Sequence, residues 1–358
     1  MKNVYERLRD RLDDLATGFP ATKSRVEIRI LKRLFTEAEA EFFIRLPPLL
    51  KTPEDIAKML AHDPGEMSEL MEGMAKKGLL FRQRKGGEVR YAPVPYVVGI
   101  FEFQVGRMDR DMASDMEEYF ETALGPTLQS FKTPVMRTVP INRDLATKWP
   151  VAPYEDILNF LDKQEVIAIA PCICRTVSRL NGRGCDKPLE TCFMFGSHAH
   201  FYVENGMGRY INKEEARDIV KRNEEVGLVM QPFNSQKFGG MCSCCGDCCG
   251  MLRSLKKQPV PAAAVQSNYF AEVDSEKCTG CETCLDRCQM EAIKMVDEIA
   301  TIDRDRCIGC GLCVTTCSSE ALRLTRKSED DLYAPPETGA ETYMQIAIER
   351  GRNLMPKP

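Results

Sequence analysis

Cysteine dominates the chemistry available to this sequence. Seventeen of its 358 residues are Cys, an odd number, grouped as C-x-C, C-C and C-x2-C in a way that suits metal ligation better than a disulfide framework. Eight lie in two runs of one design: CTGCETCLDRC from Cys278 to Cys288 and CIGCGLCVTTC from Cys307 to Cys317 both read C-x2-C-x2-C-x3-C. The other nine lie upstream. Cys172, Cys174, Cys185 and Cys192 fall in PCICRTVSRLNGRGCDKPLETC, and Cys242, Cys244, Cys245, Cys248 and Cys249 in GGMCSCCGDCCG. Thiolates so spaced bind soft metals. Tetrahedral zinc is one candidate, but its C-x2-C pairs are usually separated by a longer loop, whereas here three Cys fall within seven residues, twice. Iron–sulfur ligation is the better fit.

Over about residues 272–327 the chain is similar to the bacterial dicluster ferredoxin family, and all eight ligand positions match. The resemblance implies two [4Fe–4S] clusters, each held by three thiolates of one run and the fourth of the other. Cys278, Cys281, Cys284 and Cys317 would hold one; Cys307, Cys310, Cys313 and Cys288 would hold the second. One departure is local: Gln289 and Ser318 follow the fourth Cys, where the family usually has Pro. That is expected to alter a turn and a potential, not the ligation. The implied role is electron transfer.

The nine upstream thiols are hard to explain as packing. Gly239, Gly240, Gly246 and Gly250 would let the backbone fold close around a metal and turn N–H groups towards sulfur. Arg175, Arg179 and Arg183 would offset thiolate charge, or be ordinary surface arginines. Nine ligands suffice for one or two further iron–sulfur clusters, with zinc as the alternative. One partition puts Cys172, Cys174, Cys185 and Cys192 at one site and four of the later five at another; shared ligands remain open. Between the groups, His198 and His200 would share one face if GSHAHFYV is a strand, forming a metal or proton-transfer pair.

Composition bounds the class. Hydrophobic residues make up 43% and charged residues 28%, with a net charge of −4, as expected of a globular protein and against a generic nucleic-acid or acidic-lipid binder. The charged N-terminal stretch is no signal peptide, and no apolar run is long enough to span a membrane. These readings place the protein in the cytoplasm, in an anaerobic setting. No GxGxxG in a strand–helix context and no Walker A motif is present, which argues against flavin, NAD or ATP binding.

The elements that must position the thiols follow from periodicity and caps. Val4, Leu8, Leu12 and Leu15 mark a first helix, and one longer helical pattern runs from Lys23 to Leu46, stopped by Pro47 and Pro48. Thr52 caps a helix beginning at Pro53, and Asp63 caps another over about Pro64–Lys77. Strands at Leu79–Arg84 and Glu88–Ala92 flank a Gly86–Gly87 turn. This helix, helix, hairpin order resembles a winged-helix domain. Its second helix carries Asp63, Glu66, Glu69 and Glu72, which would repel phosphates; the wing carries Arg82, Arg84, Lys85 and Arg90. A docking or dimerisation module is favoured over DNA binding. An acidic helical stretch from Met108 and a segment punctuated by Pro134, Pro140, Pro150 and Pro153 lead to a short helix at Asp156–Lys163.

A buried strand at Glu165–Ala170 delivers Cys172 and Cys174, a capped helix runs from Asn212 to Gly227, and a strand follows at Leu228–Gln231. Met251–Lys257 reads as helix and Pro259–Pro261 as a linker. A tail helix over about Glu341–Arg350 would clasp the ferredoxin unit or a partner.

The expected fold is α+β and multidomain: a winged-helix-like region at 1–105, a helical and Pro-rich segment at 106–163, a central Cys-rich α/β domain at 164–260, the dicluster unit at 261–327 and a tail at 328–358. The expected function is single-electron relay between redox partner proteins, alone, as a homo-oligomer or as a subunit of an oxidoreductase complex. Two alternatives stand beside it: an oxidoreductase with a catalytic cluster in the central field, and a redox-responsive regulator.

Overall fold

The computed structural model describes residues 2–140, 152 and 155–356; Pro150 and Pro153 of the expected linker lie outside these. The chain opens with helices α1 (Val4–Asp14), α2 (Val26–Leu34) and α3 (Glu37–Arg45). The single helix expected over 23–46 is therefore two. Thr36 interrupts it, because its side chain accepts from the Glu39 N–H while Glu39 reaches back to the Thr36 N–H, a capping box that starts a new helix. Helices α4 (Pro53–Leu60) and α5 (Pro64–Lys76) start at the Thr52 and Asp63 caps. The hairpin of β1 (Leu80–Lys85) and β2 (Glu88–Pro93) follows.

The hairpin faces inward. Arg82 is 3% exposed and pairs with Glu72 at 2.7 Å and Glu204 at 2.6 Å. Arg84 also reaches Glu204, and Arg90 pairs with Glu88. Phe81 stacks on His198. Three of the four wing cations are thus engaged by carboxylates, and the wing is a wall of the central region. One apolar core runs without a break from Leu8 and Phe43 through Met71 and Tyr119 to Ile173 and Phe201.

After α6 (Arg110–Tyr119) and α7 (Ile157–Asp162), the central region builds a five-stranded sheet. Its strands are β3 (Ile167–Pro171), β4 (Glu190–Phe195), β5 (Arg209–Ile211), β6 (Val229–Pro232) and β7 (Gly240–Cys244), in the order β5-β3-β4-β7-β6. Every pairing is antiparallel, so the expected α/β arrangement is corrected to α+β: no connection crosses over between parallel neighbours. Helices α8 (Ile173–Leu180), α9 (Ser197–Glu204), α10 (Lys213–Glu225) and α11 (Gly250–Lys256) complete it.

The downstream segment pairs β8 (Tyr269–Val273) with β11 (Leu322–Arg326) around the hairpin of β9 (Ile293–Val296) and β10 (Ile299–Ile302). The tail helix α12 (Gly339–Glu349) lies against the N-terminal helices and the central sheet. Arg350 donates to Asp13 Oδ1 at 2.8 Å, Glu349 accepts from Thr133 Oγ1 at 2.6 Å, and Tyr343 donates to the Val98 carbonyl at 3.0 Å. Tyr333 ties the stretch before it to Asn268 beside β8.

Candidate metal centres

In the downstream segment the ligands sit on short loops. Cys278, Cys281, Cys284 and Cys317 line one small cavity, and Cys288, Cys307, Cys310 and Cys313 line another. The loops are shaped by glycine where nothing else fits: Gly309 has φ +66°, and an added Cβ would collide with the Tyr269 carbonyl oxygen. Backbone N–H groups point at sulfur. Ala292 donates to Cys288 Sγ at 3.2 Å, Ala271 to Cys307 Sγ at 3.4 Å and Ala300 to Cys278 Sγ at 3.4 Å. Such donors stabilise thiolates that carry a cluster. Burial pushes the Cys310 thiol up to about 12, because a buried negative charge is disfavoured. Cys281, by contrast, is exposed.

The nine upstream thiols divide unlike the partition considered from sequence. Cys185, Cys245 and Cys248 form a tight triangle, with Cys185 Sγ 3.6 Å from Cys245 Sγ and 3.7 Å from Cys248 Sγ. The other six ring a second, enclosed cavity: Cys172, Cys174, Cys192, Cys242, Cys244 and Cys249. The fold explains the regrouping. Cys172 caps α8, Cys249 caps α11, Cys192 sits on β4, and Cys242 and Cys244 on β7. Strand order brings β4 beside β7, so thiols distant in sequence converge, while Cys185 is left on the far side with the 245–248 turn.

Within the ring, interactions with both neighbouring sulfurs hold Cys172 and Cys249 well below the usual thiol range and Cys242 down to about 6. Cys174, Cys192 and Cys244, which lie between them, are pushed up. In the triangle, Cys248 holds Cys245 down to about 5, helped by the Arg175 guanidinium. Glu102 also lines the ring cavity; burial, with Cys242 and Cys172 nearby, pushes its carboxyl up to about 8.

Arg175 is wholly buried between the two groups. It donates to the Pro188 carbonyl at 2.5 Å, to Thr191 Oγ1 at 3.1 Å and towards Cys245 Sγ at 3.6 Å. Burial works against its charge, but the Cys172 and Cys245 thiolates outweigh that and raise it further. The other two candidate arginines are engaged elsewhere: Arg179 binds the Cys185 and Lys187 carbonyls and Arg183 pairs with Glu117. The loop glycines crowd neighbouring groups more than a metal. Gly246 donates its N–H to Gln289 Oε1 at 2.7 Å, and an added Cβ there would lie 2.8 Å from the Gln289 carbonyl oxygen.

His198 and His200 lie on helix α9, not a strand, so their rings diverge. Gly196, at φ +53°, ends β4 and lets the helix begin. His200 Nδ1 is 2.8 Å from the Tyr210 hydroxyl, whereas His198 stacks on Phe81 and burial holds it down to about 4.

Two features escaped sequence reasoning. Glu102 stood in an apolar run with no spacing signal, and the role of Gln289 was visible only as a departure from a pattern. Gln289 follows Cys288 directly, and its side chain reaches the 245–248 turn. Beside it, Met290, Ile308 and Leu312 pack in one cluster with Cys244, Cys249 and Leu252. The cavity of Cys288, Cys307, Cys310 and Cys313 thus abuts the central thiols.

The seventeen cysteines together with one family match mark an iron–sulfur protein with an electron-transfer role. Residues 277–321 match the family described as the 4Fe-4S dicluster domain. No curated protein and no solved structure matches the chain. No helix among the described residues is long and apolar enough to cross a membrane.

Proposed function

We propose that the chain is a multi-centre electron carrier in which the dicluster segment exchanges electrons with a redox partner protein and hands them to, or takes them from, the central thiols. In this reading Cys278, Cys281, Cys284 and Cys317 hold the outer [4Fe–4S] cluster, which meets the partner near exposed Cys281. Cys288, Cys307, Cys310 and Cys313 hold the inner one. The six-thiol ring holds a third iron–sulfur cluster, since its six donors, four of them buried and two half-buried, exceed what one cube needs. The triangle holds a single ion. A tetrahedral site with metal–sulfur bonds of about 2.3 Å separates its sulfurs by about 3.8 Å, and the triangle's 3.6 and 3.7 Å edges match this. Zinc or iron with one further ligand fits there.

The bound clusters supply the one-electron chemistry; the chain sets their order and charge. The observation that carries this reading is the shared wall: the inner cavity of the dicluster segment packs directly on Cys244 and Cys249 and is tied to the 245–248 turn through Gln289. No two of the cysteines are joined in a disulfide among the described residues, which supports a reducing compartment such as the cytoplasm. Engagement of the wing arginines in internal ion pairs leaves little charge for phosphate, which weighs against a DNA-binding regulator. The oxidoreductase reading is favoured by one observation, a larger cavity sharing walls with the six-thiol ring.

Iron, sulfide and zinc per chain, counted on anaerobically purified protein, test the proposal. About twelve iron or more is expected, at four per cube, with one further ion at the triangle. A count of about eight iron, on the same basis, would leave only the dicluster segment and sink the central cluster.

A further inference from the structure

The six-thiol ring has a neighbour that electron relay does not require: a cavity of about 580 Å³, within the range of small-molecule sites. The β1–β2 hairpin, strand β4, helix α9, the turn after β6 and the tail helix α12 all contribute to its lining. Met194, Tyr202 and Phe233 line both this cavity and the ring cavity. Three wall segments that sequence reading placed in separate modules, the wing, the central domain and the tail, therefore converge on one space beside the metals.

The lining has a definite chemistry. Phe81, Phe103, Phe195, Phe233, Phe238 and Tyr202 give it an aromatic wall. Among the described residues that line it, the one formal charge is Lys237, whose ammonium lies at the surface paired with Glu337. His198 stays neutral at pH 7, since burial holds it down to about 4. An ionised guest would lose its hydration with nothing to replace it.

Against this apolar wall stand two unsatisfied polar atoms. Asn234 and Ser235 are each 1% exposed, and both line the cavity. Asn234 Nδ2 donates to the Tyr333 hydroxyl at 2.8 Å, but Asn234 Oδ1 and Ser235 Oγ have no hydrogen-bond partner among the described residues. Buried polar groups are rarely left unpaired. An acceptor and a hydroxyl, both unpaired in residues of the cavity wall, are available to a polar group that can donate and accept.

We propose that this cavity binds an uncharged aromatic compound of about two rings bearing a hydroxyl or carbonyl group, held by Asn234 and Ser235, with its rings against the wall shared with the six-thiol ring. It deepens the oxidoreductase reading, supplying the substrate class, but its test needs no turnover.

The probe is 2-naphthol, titrated calorimetrically into the full-length protein purified without oxygen, with naphthalene and 2-naphthoate as comparisons. One 2-naphthol per chain is expected, with 2-naphthoate binding at least about tenfold more weakly because its charge is unpaired. Ser235→Ala removes the hydroxyl and is expected to weaken 2-naphthol about five- to tenfold, the worth of one hydrogen bond, while leaving naphthalene unchanged. Ala92→Trp fills the cavity from β2, away from every thiol, and is expected to abolish binding of both neutral probes with iron content unaltered. No saturable binding, or equal loss of naphthol and naphthalene in Ser235→Ala, would overturn the proposal. A low iron count with intact naphthol binding would instead remove the central cluster and leave the cavity standing.

Discussion

Between Cys278 and Cys317 the thiols sit on short loops, each cavity assembled from neighbours in sequence plus one crossover residue, and Cys281 reaches solvent. Between Cys172 and Cys249 the six-thiol ring sits on strands β4 and β7 and on the starts of α8 and α11, buried or half-buried, and is assembled by the sheet. The difference is one of what holds the ligands in place. The downstream loops are fixed by backbone conformation and by the metal itself, whereas the central thiols are fixed by a packed fold that exists around them. A loop-held centre suits exchange with a partner. A sheet-held centre suits chemistry that must exclude water.

If that contrast is right, disturbing the central region should cost the whole fold. Arg175→Met leaves buried thiolates without their cation, and the loss is expected to be about 3–5 kcal/mol, read as a large fall in the denaturant midpoint together with loss of central iron. A variant that keeps both stability and full iron would show that the central charge is balanced elsewhere.

Disturbing a downstream loop should stay local. Gly309→Ala combines a left-handed backbone with a collision at Tyr269, a strain of about 1–3 kcal/mol concentrated on one cavity. The expected result is loss of about four iron, one cube, with the central centres intact by EPR. Loss of central iron as well would mean that the two regions fold as one unit.

The smallest effect tests the join. Gln289→Ala removes the hydrogen bond to Gly246, costing about 1 kcal/mol, with every centre still loaded. Rapid-mixing reduction should then show the dicluster segment reduced at its normal rate and the central centre lagging; an unchanged central rate would place the electron path elsewhere.

The same contrast explains what could be read from sequence. The dicluster segment was legible because C-x2-C spacing is itself the geometry of a binding loop. Local signals also sufficed for the Thr52, Asp63 and Asn212 caps. The grouping of the central thiols was not legible, because it depends on β4 lying beside β7, a contact between residues far apart in the chain. His198 and His200 were misplaced because alternation over three residues resembles a strand, and the turn at Gly196 that starts a helix carries no side-chain signature. Thr36 was passed over because the apolar periodicity continues on both sides of it.

The tail helix has a consequence in time as well as in space. Arg350 meets Asp13 across a sequence separation of 337 residues, and Tyr343 meets Val98 across 245. Contacts that span so much chain carry a loop-closure cost that shorter contacts do not. Thr342 and Tyr343 also close one side of the aromatic cavity, so until the tail docks that side stands open. The aromatic cavity is therefore complete only once the last helix of the chain has docked, and a molecule seated there is held by both ends of the sequence at once.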